Sequence, residues 1–169
     1  HFSDKGAAHA ALTAAGLPLP FGLTVRADEL DTRVLTPEER GRLGEPFYIK
    51  PCHGFACRGV LADGREIADV RRSQAACADT HYLLQRRVEV ADISGRPAYW
   101  RVFSILGDVR VCWWHPATRH YALVTGWQVT QYQLRPLFDL GRRLAALTGL
   151  ELFSVEVARR PDGAFRLID

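Results

Sequence analysis

Apolar and polar positions along the first half of the chain predict short strands alternating with helices. An alanine-rich run at helical spacing follows Ser3, which we expect to be its N-cap, and Gly16 closes this helix. Residues 26–44 are polar and irregular, with a helical turn or two predicted to start at Thr36. The predicted strands are 21–25, 47–50, 58–62 and 82–90, and the further helix is 66–77.

The second half of the chain predicts hairpins and one long helix. A hairpin pairs 99–106 with 109–114 through Gly107 and Asp108. The segment 115–135 shows no clear period and is predicted to be a functional loop. The last elements are a helix at 136–147 and strands at 152–157 and 164–169. Hairpins that alternate with helices, without regular βαβ units, indicate an α+β fold.

The last hairpin turns at Asp162 and Gly163, the strongest short hairpin signal in the chain. A two-residue or a four-residue turn at this place puts Glu156 directly opposite Asp169. Opposed side chains lie ~5 Å apart at Cβ, and like charges there destabilise the pair. A divalent cation between two carboxylates removes this repulsion, and magnesium often takes one or two carboxylates together with phosphates. The alternative is a solvated pair screened by a nearby arginine.

Composition is that of a globular protein without a membrane span. Hydrophobic residues make up 47% of the chain and charged residues 24%, and no run approaches the roughly 20 apolar residues of a transmembrane helix. The net charge of +3 is carried by scattered arginines, so we expect neither a nucleic-acid nor a membrane partner. Four irregularly spaced cysteines do not form a disulfide scaffold, which favours reduced thiols and a cytoplasmic location.

Zinc is an alternative for one cysteine-rich segment. Cys52 and Cys57 flank His53 at a short spacing, and all three residue types bind zinc. Structural zinc sites usually close with a second, similarly spaced ligand pair, and none follows in this sequence. The pattern therefore disfavours zinc.

Lysine is rare in this chain, and both lysines stand at unusual places. Against twenty arginines there are two lysines, Lys5 and Lys50. Lys5 lies in the first turn of its helix, where the macrodipole disfavours a cation. Lys50 ends a strand just before a glycine-containing segment, residues 52–59, called the glycine loop below; such turns can present backbone N–H groups to phosphate. The alternatives are an exposed lysine and an ordinary hairpin connection.

Taken in order, these features resemble the ATP-grasp family of carboxylate–amine ligases over essentially the whole chain. The opening helix with the first ATP lysine is matched by 3–5 and 14–20. The second lysine strand and phosphate lid are matched by 47–51 and 58–60, and the hinge between the lobes by 82–88. The two magnesium-carboxylate strands are matched by 150–157 and 166–169.

The resemblance implies an α+β ATP-grasp fold in which two α+β lobes hold ATP between them. The expected organisation is an opening helix and linker at 1–20, a small lobe at 21–90 and a larger lobe at 91–169. The implied ATP-binding residues are Lys5, Lys50, Gly54, Gly59, Gln85, Arg86, Val88 and Asp92, with Glu89 as the alternative to Asp92 at the ribose. Glu156 and Asp169 would bind Mg2+, and Arg101 would stabilise phosphoryl transfer unless it is a structural salt-bridge partner of either carboxylate.

The implied function is an ATP- and Mg2+-dependent ligase that joins a small-molecule or peptide carboxylate to an amine or thiol through an acyl phosphate. The alternatives are a non-catalytic ATP-binding module and a small-molecule kinase. The glycine loop departs from the family by carrying Phe55, Cys57 and Arg58 in place of small residues. The family's third metal ligand would fall beyond Asp169, and its preceding domain is missing. Because the sequence has no methionine, we expect a processed form or a piece of a longer polypeptide.

Overall fold

The computed structural model describes residues 4–54 and 57–169 of the chain. The chain divides into two compact units, of which the first ends at Arg87 and the second begins at Val88. Each unit is built on its own antiparallel sheet. Among the described residues, no helix combines the length and the apolar character needed to cross a membrane.

The first unit surrounds a four-stranded sheet. Its elements are α1 (Lys5–Ala14), β1 (Gly22–Arg26), α2 (Pro37–Leu43), β2 (Phe47–Pro51), β3 (Leu61–Gly64), α3 (Val70–Ala76) and β4 (His81–Arg86). The strands lie in the order β1-β4-β2-β3, and every neighbouring pair is antiparallel. The central strands β4 and β2 therefore carry residues with partners on both sides.

Alternation along β2 separates an apolar face of this sheet from a polar one. Phe47 and Ile49 are fully buried in a core shared with α2 and α3, whereas Tyr48 and Lys50 point to the opposite face. Helix α1 lies on that opposite face and approaches it closely. A Cβ atom on Gly6 would stand 2.8 Å from a threonine hydroxyl of β1, so only glycine permits this contact.

The ends of α1 show how local chemistry fixes its position. Asp4, rather than the predicted Ser3, is the N-cap; Ser3 lies outside the described residues. The Asp4 carboxylate accepts hydrogen bonds from the N–H groups of Gly6 (2.8 Å) and Ala7 (3.0 Å), which have no partner within the helix. The predicted close at Gly16 is confirmed, with φ of +70° just after the C-cap.

The helical turn predicted at Thr36 is also confirmed, as α2. The Thr36 hydroxyl accepts from the N–H of Glu39 (3.1 Å), and the Glu39 carboxylate accepts from the N–H of Thr36 (2.9 Å). This reciprocal capping box satisfies two backbone donors, and Pro37 occupies the first helical position.

The second unit holds a five-stranded sheet and a small hairpin. Its elements are β5 (Asp92–Ile93), β6 (Arg96–Pro97), β7 (Tyr99–Ile105), β8 (Asp108–His115), β9 (His120–Leu123), α4 (Gly126–Gln131), α5 (Arg135–Thr148), β10 (Leu152–Arg159) and β11 (Phe165–Leu167). The main sheet has the order β11-β10-β7-β8-β9, and β5 pairs with β6.

Helix α5 packs tightly on the strands β7 and β8. Leu137, Leu140 and Leu144 form its buried stripe, as the helical period predicts, whereas Leu147, predicted on the same face, is 47% exposed. At Gly141 the helix backbone comes so close to the sheet that a Cβ atom would lie 2.7 Å from Cγ1 of Val109. Glycine is therefore a packing requirement at this position.

The prediction of a loop over 115–135 is wrong. Strand β9 and helix α4 both lie within this segment. All four residues of β9 are exposed, and α4 has no buried residue. Periodicity reports a buried face, so an exposed edge strand and an exposed short helix leave no signal in the sequence.

Several other predicted boundaries shift by a few residues. The strand predicted at 58–62 is Leu61–Gly64, and the one predicted at 82–90 ends at Arg86. The turn between β7 and β8 uses Leu106 and Gly107, which both have positive φ (50° and 84°), instead of Gly107 and Asp108. Two successive left-handed residues match the twist of a tight hairpin.

The register predicted for the last hairpin is wrong by one residue. Arg160 and Ala164 are hydrogen-bonded across a three-residue loop that ends at Gly163 (φ +86°), so Val157 pairs with Leu167. Nevertheless Glu156 meets Asp169. The N–H of Glu156 donates to the Asp169 carbonyl (2.7 Å) while its own carbonyl accepts from residue 168, a two-against-one arrangement typical of a bulge.

The close approach at Gly141 yields a test of the packing. Alanine usually stabilises a helix by about 1 kcal/mol over glycine, but Gly141→Ala should instead lower the free energy of unfolding by about 1–3 kcal/mol, because the stiff Val109 side chain must move. Gly41→Ala is the matched control in α2, where a Cβ atom meets nothing within 4 Å. Chemical denaturation measures both; equal stabilisation by the two changes would contradict the packing described.

Candidate functional site

The N-terminus of α1 is docked on the beginning of the glycine loop. The backbone N–H of Lys5 donates to the carbonyl of Cys52 (2.9 Å), and the Lys5 ammonium donates to the carbonyl of Gly54. The backbone N–H and the side-chain ammonium of Lys5 thus bind the residues on either side of His53. The structure therefore brings Lys5 and Gly54 together, two residues that the sequence singles out separately.

Lys50 lies on the α1 face of the first sheet, at the end of β2. It is only 9% exposed, and its ammonium stands 5.8 Å from the centre of the Tyr48 ring. Gln85 of β4, which is 4% exposed, is the cross-strand partner of Tyr48 and shares this face. Buried lysine is rare in globular proteins, so its presence beside a second buried polar side chain marks this face as a candidate binding surface.

His9 of α1 adds to this polar face without adding charge. Burial lowers the pKa of His9, and the nearby Lys50 charge lowers it further, against a hydrogen bond to Pro20 that raises it. The ring contacts the Pro20 carbonyl at 3.0 Å. The lowered pKa favours the neutral form of the His9 ring.

The second half of the glycine loop is fixed against α3. Gly59 has φ of +71°, and a Cβ atom there would lie 2.6 Å from Cβ of Cys77. The Gly59 carbonyl accepts a hydrogen bond from the hydroxyl of Ser73 (2.5 Å). Phe55, which the sequence analysis marks as unusual, lies outside the described residues. Gly59 has a structural reason to be glycine, which is independent of any ligand.

The first half of the glycine loop is fixed by Asp79. The carboxylate of Asp79, only 5% exposed, accepts from the N–H of His53 (2.6 Å), from Nδ1 of the His53 ring (2.9 Å) and from the N–H of Thr80 (2.7 Å). Burial alone would raise the pKa of Asp79, but these hydrogen bonds prevail and lower it below its usual value. Asp79 is therefore a carboxylate that orders the loop.

Neither His53 nor Asp79 is among the site residues predicted from the sequence. The sequence pattern relates His53 only to a zinc site, which it disfavours. Asp79 carries one local signal, because an aspartate just before a strand often bonds the following backbone N–H groups. Its partnership with His53, 26 residues earlier in the chain, depends on how β2 and β4 pair.

The adenine and ribose candidates follow one another along the chain, from the end of β4 to β5. The N–H of Arg86 donates to the carbonyl of Phe21 (2.8 Å), so a base contact would have to use another backbone group of Arg86. Val88 is the first residue of the second unit. Asp92 begins β5, and its carboxylate accepts from the N–H of Gly95 (2.7 Å) in the β5–β6 turn.

Arg101 and Glu156 are cross-strand partners on β7 and β10, and their side chains form an ion pair. The guanidinium also donates through Nε to the Ser154 hydroxyl (3.1 Å) and stands 5.8 Å from the Trp114 ring. Both charged side chains are about one-quarter exposed or less. The alternative role of Arg101, a structural salt bridge, is therefore present in the structure. It places a cation beside a carboxylate that is predicted to bind a metal.

The donor chemistry fits the groups that the family resemblance implies. Two lysines and a glycine loop in the first unit suit phosphate oxygens, and Glu156, backbone-bonded to Asp169 in the second, suits a hard divalent cation. Over residues 4–54 and 57–169, no group of three or more His, Cys, Asp or Glu side chains is placed to hold a metal ion. Burial raises the pKa of Cys52 to about 12, which disfavours the thiolate that zinc requires.

Solved structures similar to this chain share one fold. The ATP-grasp ligase PsnB, complexed with a minimal precursor, Mg and ADP, is 18% identical with a TM-score of 0.64, over 98% of this chain and 48% of PsnB. D-alanine–D-alanine ligase from Bacillus anthracis, complexed with ATP, is 13% identical with a TM-score of 0.65, over 98% and 53%. The purK N5-carboxyaminoimidazole ribonucleotide synthetase, as an ADP complex, is 18% identical with a TM-score of 0.70, over 98% and 43%.

These similarities confirm the predicted α+β ATP-grasp fold. The chain spans about half the length of the structures that it matches. No protein-family model and no curated protein matches the chain.

The role of Asp79 can be tested by stability. Asp79→Asn should lower the free energy of unfolding by about 1–3 kcal/mol at neutral pH, because an amide group faces N–H donors where the carboxylate accepted them. Since folding lowers the Asp79 pKa, this contribution is complete above its usual pKa of 3.8 and is lost as the pH falls through the lower value in the folded protein.

The measurement is chemical denaturation of wild type and variant at about pH 7 and about pH 3, where the difference should narrow. Asp139→Asn, at a 67% exposed position on α5, is the matched control and should change little. If Asp79→Asn is as stable as wild type at neutral pH, the carboxylate does not hold the loop.

Proposed function

We propose that this chain, which has the ATP-grasp fold, is the nucleotide-binding core of an ATP- and Mg2+-dependent ligase. The reaction would join a carboxylate to an amine or thiol through an acyl phosphate. The observation that carries the proposal is the arrangement of the two lysines: Lys50 is buried where β2 runs into the glycine loop, and the Lys5 ammonium is bonded to Gly54 in that loop. Solved neighbours with this fold carry ATP or ADP, and one carries Mg.

In this proposal the chain's own residues bind and orient phosphates. Lys50 and Lys5 would neutralise charge on the phosphate oxygens, and Gly54 and Gly59 would let the loop backbone approach them. Gln85 shares the face of Lys50 and would hydrogen-bond the nucleotide, while the backbone of Arg86 and Val88 would contact the base and Asp92 the ribose. ATP supplies the activating phosphoryl group when bound.

The carboxylates of the second unit would hold the metal. Glu156 and Asp169 offer oxygen ligands, and Mg2+ supplies positive charge to the phosphates when bound. Arg101 would then serve two states. In the structure it neutralises Glu156, and in the reaction it would stabilise negative charge on the transferred phosphoryl group.

The chain would act with further parts of the same protein. Because it spans about half of the ligases that it resembles, we infer that a pre-grasp domain of the same polypeptide completes the acceptor site. One PsnB structure contains a precursor peptide, so a peptide carboxylate is one substrate class to test alongside small-molecule carboxylates.

The central test is ATP binding by wild type and by Lys50→Ala. Removing a buried cation that contacts phosphate should weaken affinity at least about ten-fold, the value of one charge-assisted hydrogen bond. Arg71→Ala is the matched control, a 50% exposed cation on α3 paired with Asp31. Calorimetric titration with ATP and Mg2+ measures all three.

The proposal is wrong if Lys50→Ala binds ATP as tightly as wild type, or if the full-length wild-type protein does not bind ATP. A non-catalytic ATP-binding module remains the second candidate, because Arg101 already neutralises one metal carboxylate. ADP release that depends on an acceptor separates an enzyme from such a module, and the mass of the product separates a ligase from a kinase.

The metal role of Glu156 has its own test. Glu156→Gln should reduce the Mg2+-dependent part of ATP affinity, because a neutral amide is a poorer magnesium ligand than a carboxylate. Glu151→Gln, at an exposed position just before the same strand, is the control. Titrations with and without Mg2+ check the expectation. If Glu156→Gln leaves ATP binding intact, the carboxylate serves only the ion pair with Arg101.

A further inference from the structure

His53 stands between two carboxylates at the start of the glycine loop. Its Nδ1 is 2.9 Å from Oδ1 of Asp79, and its Nε2 is 3.7 Å from Oδ2 of Asp4, the N-cap of α1. Its backbone N–H is bonded to the other oxygen of Asp79. The ring is thus held from its backbone and from Nδ1, while 54% of the side chain remains exposed.

Asp79 determines which nitrogen of the ring exchanges protons with its surroundings. A carboxylate only accepts, so Nδ1 of His53 carries a hydrogen and donates it. The second proton of an imidazolium then sits on Nε2, whose distance from Asp4 exceeds that of a hydrogen bond. Nε2 can therefore donate to an incoming oxygen while Nδ1 stays anchored.

Lys5 completes the group of charges at this point of the loop. Its N–H and its ammonium are bonded to the carbonyls of Cys52 and Gly54, the residues on either side of His53. Within residues 4–54 and 57–169, the charged groups that act on the ring are Asp79 from the turn before β4, Asp4 at the N-cap of α1, and Lys5 in its first turn.

The balance of these charges depends on His53. With the ring protonated, two carboxylates are offset by one ammonium and one imidazolium; with a neutral ring, the same group is negative and repels a phosphate. The hydrogen bond to Asp79 and the charge of that carboxylate raise the pKa of His53 above its ordinary value, so the imidazolium persists to higher pH than in a free histidine.

We propose that His53 is a third phosphate-binding cation beside Lys5 and Lys50, with Asp79 as the positioning residue that orients its ring. The ring would donate from Nε2 to a phosphate oxygen of the bound nucleotide. This inference rests on the proposed function, since it concerns the same nucleotide. It adds that nucleotide affinity is coupled to the protonation of one residue.

The test compares ATP affinity in the presence of Mg2+ for wild type, His53→Gln and His53→Arg at about pH 6 and about pH 9. Because ATP itself titrates, the informative quantity is the ratio between variant and wild type at each pH. Wild type should bind about ten-fold more tightly than His53→Gln at the lower pH, and the two should converge at the higher one. His53→Arg should keep its affinity at both.

Two further measurements separate phosphate binding from a structural role. In an NMR titration, saturating ATP should raise the pKa of the His53 ring, because a ligand that prefers the protonated form must stabilise it. Asp79→Asn should shift the pH dependence of ATP binding to lower pH. His120→Gln, an exposed histidine on β9, is the control and should change neither result.

The possible outcomes are distinct. If His53→Gln binds ATP like wild type at both pH values and ATP leaves the ring pKa unchanged, the proposal for His53 is overturned while the ATP function stands. If Lys50→Ala abolishes ATP binding and His53→Gln does not, His53 has only a structural role between α1 and the loop. If wild type binds no ATP, both proposals fall.

Discussion

The hydrogen bond from the His53 backbone to the buried carboxylate of Asp79 is the contact on which the candidate phosphate site depends. It ties the end of β2 to the turn that leads into β4, two strands that are already neighbours in the sheet. A charged acceptor inside the fold makes this a strong bond and makes its loss costly. Once the loop start is fixed, the carbonyls of Cys52 and Gly54 face α1 and receive Lys5.

The close approach of α1 to the sheet follows from the same geometry. Gly6 lets the helix come near enough for Lys5 to reach the loop, and Asp4 caps the helix beside His53. A larger residue at Gly6 would lift the helix and carry Lys5 away from Gly54. One small residue, one cap and one buried carboxylate thus set the positions of the charges at the loop.

The second unit shows a different compromise between stability and chemistry. The opposite charges of Arg101 and Glu156 neutralise each other across two neighbouring strands, and such cross-strand pairs stabilise a sheet. A metal at Glu156 would have to compete with this guanidinium. The same pair therefore stabilises the sheet and sets how strongly the carboxylate can bind a cation.

Most of the elements and the fold class can be predicted from the sequence, because buried faces leave a period in the chain. The stripe of α5 and the strand β2 are local patterns of this kind, and Thr36 with Pro37 marks the start of α2. Strand β9 and helix α4 could not be predicted in this way, since neither has a buried face. The resemblance to ATP-grasp ligases supplied the fold that the solved structures confirm.

Which of the candidate residues come into contact cannot be predicted from local sequence patterns. The contact of Lys5 with Gly54 spans 49 residues, and that of Arg101 with Glu156 spans 55. The partnership of Glu156 with Asp169 was predicted from a wrong register and is restored by a bulge that no local pattern announces. His53 and Asp79 became a pair only through the pairing of β2 with β4. Such contacts depend on strand register and helix approach, which are properties of the packed chain as a whole.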